Sequence, residues 1–141
     1  MKYFASLLLS LILLFLGLIH IYWGFGGKSG MVPTVPTKAN NKPVIKPGAI
    51  DCLVVAIVLI AFAAFVLIKT GFILFRLPNR ISDYGLWGIA GLFLLRAIGE
   101  FKYVGFFKKI KTTRFGLTDT KYYSPLCLLI GLLSIILELL N

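Results

Sequence analysis

Four long apolar runs divide this chain, and they restrict what it can fold into more than any other feature. Their approximate limits are residues 3–25, 49–68, 84–100 and 123–140. A transmembrane helix needs about 20 mostly apolar residues, so each run is long enough for one span. The sequence therefore predicts an all-α fold, an integral membrane bundle of four transmembrane helices that forms a single domain over residues 1–141.

The composition is that of a membrane protein and not of a soluble one. Of the 141 residues, 59% are apolar and only 14% are charged, and the mean hydropathy is +0.94. Soluble domains are about 45–50% apolar and about 25% charged, and a chain this short cannot hide such an excess in one core. A soluble enzyme and a disordered chain are therefore both excluded.

The first apolar run has two interpretations. Lys2 followed by a leucine-rich stretch is typical of a secretory signal peptide. The apolar residues nevertheless continue past His20 to Tyr22 and Trp23 without a small-residue cleavage site, and aromatic residues are common where a span leaves the membrane. We therefore expect an uncleaved first span.

Two long polar segments, residues 26–48 and 101–122, connect the runs. The first holds four prolines and is expected to be an extended loop, because proline interrupts helices. The second is predicted to be a helix extension or an amphipathic piece in the headgroup layer, because apolar residues recur in it at helical spacing, namely Tyr103, Phe106, Phe107 and Ile110. Four antiparallel spans bring both segments to the same side of the membrane, which we call the long-loop face. The opposite side, with both termini and the short connection between the second and third spans, is the short-loop face.

The chain is strongly basic, with 15 Lys and Arg against 5 Asp and Glu. These residues lie mostly between the apolar runs, so we expect them to face the anionic headgroups of the bilayer and expect no nucleic-acid partner. Ten basic residues fall on the long-loop side and four on the side of the termini. The positive-inside rule then predicts cytoplasmic long loops and both termini outside.

Polar residues gather where the spans meet the long-loop face, and this predicts where a site would open. Asp51 and Cys52 begin the second span and Cys127 lies early in the fourth, where we expect reduced thiols. The candidate ligand-binding residues are His20, Tyr22, Trp23, Arg96, Glu100, Tyr103, Asp119, Tyr123 and Ser124.

Arg96 is the most informative single residue, because a cation inside a span is costly and needs a partner. Glu100 follows at i+4 on the same predicted helical face, so we expect the two to pair. Such a pair either only holds the helices together or leaves guanidinium donors free for a carboxylate or phosphate ligand. His20 likewise either acts as a general acid or base or is bonded to a carbonyl or to Asp51.

The sequence predicts no metal and no cofactor. It contains one histidine and two cysteines, which excludes a multi-histidine metal site and a disulfide framework. We find no motif that holds a phosphate or nucleotide group.

Several short strings resemble a bacterial membrane family, the family of proteins with domain of unknown function 3995 (DUF3995). They are the segments 20–24 (HIYWG), 95–101 (LRAIGEF), 103–107 (YVGFF) and 123–127 (YSPLC). The resemblance covers nearly the whole chain and implies a small four-span protein, which we expect in the bacterial inner membrane. It implies no activity, and family members usually carry Asp where this chain has Glu100.

Three classes of function are compatible with the sequence. The first is binding of a lipid or a small apolar or anionic molecule in a polar pocket at the long-loop face. The second is a structural or interaction subunit of the membrane, and the third is an intramembrane, isomerase-like enzyme. A cavity of about 300–1,000 Å³ among the helices would favour the first and third. The sequence determines neither the ligand nor the oligomeric state.

Overall fold

The apolar runs form helices because a backbone surrounded by lipid must satisfy its hydrogen bonds internally. The structure, a computed structural model, describes residues 1–30, 35–40 and 42–141. Four helices in it are long and apolar enough to cross a membrane. They are α1 (Lys2–Gly24), α2 (Ala49–Lys69), α3 (Asn79–Ile98) and α4 (Arg114–Leu140). The predicted all-α fold with four transmembrane helices is confirmed.

α4 begins well before residue 123, where the fourth span was predicted to start. Its first part is a short α-helix (Arg114–Thr118), followed by one π-helical turn (Asp119–Tyr123) and a longer α-helix (Ser124–Leu140). The π turn brings Asp119 into the interior of the bundle, where the residue is fully buried.

The four helices pack as two pairs of sequence neighbours, α1 with α2 and α3 with α4. Glycines allow the close approach within each pair: a Cβ on Gly17 would lie 2.9 Å from Ile60, and one on Gly131 would lie 2.7 Å from Leu94. α1 also contacts α4, whereas α2 and α3 touch little. A gap is therefore left between the two pairs on the side of α2 and α3.

The core lies on the inner faces of the helices, where Leu9, Leu13, Leu86 and Ile130 are all nearly or completely buried. Many apolar side chains point outward instead and stay exposed, including Leu95. An apolar exterior is what a lipid-facing bundle requires, since its helices do not need a polar outer face.

A helix extension or an amphipathic piece was predicted within residues 101–122, and the structure agrees only in part. Residues 114–122 are helical and extend the fourth span, but the described residues before them in this segment form a folded loop without a helix. Gly99, the residue after the last residue of α3, has a φ of +82°, and Gly105 has a φ of +88°. These two glycines pack backbone to backbone, so that a Cβ on Gly99 would collide with the carbonyl of Val104. The N–H of Phe106 donates to the carbonyl of Ala97 at 2.9 Å, and the chain therefore folds back onto α3 instead of continuing into the headgroup layer.

The segment between α1 and α2 has no helix among its described residues, in agreement with its proline content. An isolated antiparallel bridge joins Thr37 and Pro43. Residues 31–34 and 41, which belong to the predicted extended loop, lie outside the described residues. At the short-loop face, only residues 70–78 connect α2 to α3.

Candidate functional site

A cavity of about 680 Å³ lies between the two helix pairs at the long-loop face. Its walls are mostly apolar and include Val55, Val58 and Leu126, while residues 35–36, 45 and 47 of the first long loop contribute to its lining. A volume of this size falls in the range of about 300–1,000 Å³ that is typical of small-molecule sites. The cavity is therefore large enough for one ligand of that class.

The cavity extends from the membrane face toward the middle of the bundle. Along α2 its lining runs from Asp51 to Phe62, which is about 16 Å at 1.5 Å per residue. Val54 of α2 and Leu92 of α3 also line it and are 54% and 53% exposed. Because α2 and α3 touch little, the cavity opens between them, on the side that faces lipid.

Asp119 is the centre of a buried charged network next to this cavity. Arg96 Nη2 donates to its Oδ1 at 3.0 Å. Its Oδ2 accepts from Lys108 Nζ at 2.9 Å, from the N–H of Gly105 at 2.9 Å and from Ser124 Oγ at 3.1 Å. Both carboxylate oxygens are thus hydrogen-bonded, which is what a fully buried carboxylate needs.

Lys108 is the second buried charge of the network, and its side chain is fully buried. Its Nζ donates to Asp119 Oδ2, to the carbonyl of Gly105 at 2.9 Å and to Thr120 Oγ1 at 2.6 Å. An ammonium group has three donors, so Lys108 has none left for a ligand. The fold-back of the loop at Gly105 places this lysine inside the protein and not among the headgroups.

Arg96 joins the network to the cavity, and its ion-pair partner is Asp119, which corrects the predicted pairing with Glu100. Helix α3 ends at Ile98, so Glu100 is not one helical turn above Arg96 and lies exposed beyond the helix end. The Arg96 side chain is 34% exposed and lines the cavity. Its Nη1 atom is buried and has no hydrogen-bond partner among the residues that the structure describes.

His20 and Trp23 line the cavity from the end of α1. His20 Nδ1 donates to the carbonyl of Leu16 at 2.8 Å, which leaves Nε2 of the neutral ring as an acceptor. The two rings meet edge to face with centroids 5.1 Å apart. Trp23 Nε1 donates to the carbonyl of Ser29 at 2.9 Å, so the first loop is tied to the aromatic end of α1.

The structure divides the nine candidate residues into three groups. His20, Trp23, Arg96 and Tyr123 line the cavity. A second group, Asp119 and Ser124, lies behind the arginine and orients it. The third group takes no part in the cavity lining and consists of Tyr22, Glu100 and Tyr103.

Tyr22 and Tyr103 fall outside the cavity for local reasons. Successive helical residues are rotated by about 100°, so Tyr22 does not share the direction of Trp23, and it is 50% exposed. Tyr103 lies in the loop after α3, where its ring is 5.1 Å from Lys102 Nζ.

The sequence reasoning missed Lys108 as a member of the Asp119 network, and it left three acidic or thiol side chains of the cavity lining outside the candidate set. These are Asp51, Cys52 and Cys127, of which both cysteines are free thiols. The burial of Lys108 has no local signal, since it stands in a run of lysines that resembles a solvated segment. In the described part of the chain, no group of three or more His, Cys, Asp and Glu side chains could hold a metal ion.

A second buried ion pair lies at the short-loop face. Lys69 Nζ is 2.5 Å from Glu138 Oε2 and also donates to the carbonyl of Ser82. The Lys69 and Glu138 side chains are only 8% and 16% exposed. Nearby, the hydroxyls of Ser6 and Thr70 are bonded at 2.6 Å. This cluster joins α2, α3 and α4, and none of its members lines the cavity.

The fold and the site together define a small multi-pass membrane protein with four apolar helices and a polar-ended cavity between two helix pairs. The family model for proteins of unknown function DUF3995 matches residues 13–134, so the chain belongs to the DUF3995 family, as its short strings indicate. This match includes most or all of every helix and all residues of the Asp119 network. No curated protein and no solved structure matches the chain.

Proposed function

We propose that this protein binds a lipid or a small apolar molecule, with the apolar part in the cavity and the polar end at the long-loop face. One observation carries the proposal, namely the 680 Å³ cavity with apolar walls that opens between α2 and α3. Protein interiors are otherwise packed to a density of about 0.74, and unfilled apolar space loses dispersion contacts. A bundle that served only as a scaffold gains nothing from leaving such a space open.

The arrangement of the lining supports an amphipathic ligand. Val55, Val58 and Leu126 supply apolar walls, whereas His20 and Arg96 stand near the long-loop end of their helices. Small-molecule sites typically combine an apolar lining with a few polar groups that fix orientation. An apolar chain would enter from the bilayer between α2 and α3, and its polar end would stay near the membrane surface.

Photoaffinity labelling tests the proposal directly. The purified protein in phosphatidylcholine nanodiscs is labelled with two diazirine-bearing probes of equal chain length, a fatty acid and a fatty alcohol. Label on cavity residues such as Leu92 and Cys127, mapped by mass spectrometry, is the expected result with at least one probe. The Val58→Phe variant, which fills the cavity, should remove most of this label.

Ile57→Phe is the matched control, because Ile57 is the preceding residue of α2, is 67% exposed and does not line the cavity. It should label like the unmodified protein. Label spread evenly over the outer faces of all four helices, and unchanged by Val58→Phe, would contradict the proposal and favour a structural or interaction subunit.

The enzyme alternative receives less support from the geometry. Nδ1 of His20 is bonded to the Leu16 carbonyl, and the candidate binding residue Glu100 is exposed and outside the cavity. An intramembrane isomerase needs acid–base groups that contact its substrate. Among the described residues that line the cavity, His20 offers Nε2 as such a group, and the Asp51 carboxylate accepts from the N–H of Gly48 as a helix cap.

We also propose that the long loops face the cytoplasm and that both termini lie outside. Lys108 and Lys69 are held in buried ion pairs. Without them the basic residues number nine on the long-loop side and three on the other, so the asymmetry that favours this orientation persists. Cysteine labelling in intact cells should find Lys42→Cys and Lys109→Cys inside and Arg80→Cys outside. The reverse pattern would contradict the orientation, and Lys42→Cys and Arg80→Cys on one side would contradict the four-span topology.

A further inference from the structure

The charges of the Asp119 network do not balance. Arg96 and Lys108 both form ion pairs with Asp119, so two cations share one carboxylate. Asp119 is completely buried and the Lys108 side chain is also completely buried. A net charge held away from water is costly unless it acquires a partner. The network therefore carries one positive charge in excess, on Arg96, whose side chain is only 34% exposed.

Hydrogen bonding assigns the excess charge to Arg96. Lys108 has used its three donors, and both oxygens of Asp119 already accept bonds. Arg96 alone of the three has a buried nitrogen, Nη1, that lacks a partner among the described residues, and Arg96 alone lines the cavity. The residue of the network that lacks a partner for one of its donors is thus also the residue that reaches the cavity wall.

The acidic residues nearby do not balance the excess charge. Asp51 also lines the cavity, but its Oδ2 accepts from the N–H of Gly48 at 2.8 Å and caps α2. It forms no ion pair with Arg96 among the described residues. Glu100 is exposed beyond the end of α3. Among the described residues, Arg96 therefore has no ion-pair partner besides the carboxylate that it shares with Lys108.

We propose that the ligand is a single-chain amphipath with an anionic head, a carboxylate or a phosphate, and that the Arg96 guanidinium binds this head while the chain lies along α2. This inference rests on the proposed function and specifies its ligand class. Arginine suits the task because its planar fork has donors to spare after one ion pair. The cavity volume of about 680 Å³ fits one small molecule, and Asp119 is the positioning residue that holds the guanidinium in place.

The experiment compares ligand heads on one chain length. The unmodified protein in phosphatidylcholine nanodiscs, in mildly alkaline buffer, is titrated with the diazirine fatty acid, the matched fatty alcohol and the matched fatty amine. We expect the acid to bind about tenfold or more tightly than the alcohol, the fold-change of one charge-assisted hydrogen bond, and the amine to bind weakest. A monoalkyl phosphate of the same length should also compete with the acid.

Variants then assign the preference to one residue. Arg96→Gln should remove the preference for the acid and leave alcohol labelling in place. It is expected to fold, because Lys108 alone balances Asp119. Arg80→Gln, which removes an exposed arginine at the short-loop face, is the matched control and should retain the preference. Arg96→Lys keeps the charge and should retain part of it.

Each remaining outcome has one meaning. Equal labelling of the cavity by acid and alcohol would overturn the anionic head and leave the proposed function standing. If neither probe labels the cavity, both the anionic head and the proposed function are overturned. Acetate or inorganic phosphate that displaces the acid as well as the monoalkyl phosphate does would show a site for free anions and overturn the amphipath.

Discussion

The two ends of the bundle bury charge in opposite ways. At the short-loop face one cation meets one anion, with Lys69 Nζ 2.5 Å from Glu138 Oε2. At the long-loop face two cations, Arg96 and Lys108, share the single carboxylate of Asp119. The first cluster is balanced and lies away from the cavity, whereas the second has an unpartnered nitrogen, among the described residues, and a side chain in the cavity wall.

This difference separates a structural ion pair from a ligand-facing one. In a balanced pair, the attraction between the two ions only has to offset the free energy lost when both are removed from water. Both partners can then be replaced together by uncharged residues. An unbalanced cluster needs a further charge, so its cations cannot be replaced without changing what the site can bind. Changes at Asp119 should therefore affect both stability and ligand binding, whereas changes at the short-loop pair should affect stability alone.

Asp119→Asn should have the largest effect on stability. The change leaves the fully buried Lys108 without a countercharge, and breaking a buried ion pair in this way costs about 3–5 kcal/mol. Unfolding in mixed detergent and dodecyl sulfate micelles measures the loss. Asp83→Asn, at an exposed position at the start of α3, is the control. Equal unfolding curves for the two variants would contradict the central place of Asp119.

Lys69→Met should come next, at about 2–4 kcal/mol, because its partner Glu138 keeps some exposure at 16%. The double variant Lys69→Met with Glu138→Gln should recover part of this loss, since both charges are then gone. Binding of the fatty acid probe should be unchanged in both variants. A loss of binding in the double variant would show that the two ends are not independent.

Gly105→Ala should cost about 1–3 kcal/mol, the usual cost of a residue forced into an unfavourable backbone conformation. Its φ of +88° favours glycine, and a Cβ there would collide with the backbone of Ile98. Because Gly105 also binds Lys108 and Asp119, probe binding should fall as well. Gly91→Ala, where a Cβ meets nothing within 4 Å, should leave both measurements unaffected.

Glu100→Gln should have the smallest effect and leave the free energy of unfolding unchanged. A double-mutant cycle between Arg96 and Glu100 should show no coupling, because Glu100 is exposed beyond the end of α3. The corresponding cycle between Arg96 and Asp119 should show coupling of about 0.5–3 kcal/mol, as expected for residues in direct contact. If Arg96 were instead coupled to Glu100 and not to Asp119, the result would contradict the observed ion pair and support the i+4 pairing.

The sequence was sufficient to predict the four helices and the face at which the cavity lies. Both follow from the length of apolar runs and from the alternation of antiparallel spans, which are properties of consecutive residues. The need of Arg96 for an acidic partner was also predictable, because an unpaired cation at that depth is costly. These conclusions do not depend on the conformation of the loops.

The identity of that partner was not predictable from local spacing. The i+4 rule assumes that the helix continues through Glu100, but Gly99 ends it with a φ of +82°. Asp119 stands 23 positions after Arg96 and reaches it only because the intervening loop folds back. The burial of Lys108 has the same cause, and a run of lysines gives no sign of which one turns inward.

The pairing of sequence neighbours has a consequence for how the molecule assembles. α1 and α2 form one helical hairpin, and α3 and α4 form another. Most helix–helix contacts of the bundle are therefore between helices that follow one another along the chain. Contacts between sequence neighbours require less loop closure than distant ones, so we expect the two hairpins to form before α1 associates with α4. The cavity, which has a wall from each half, exists only after that step.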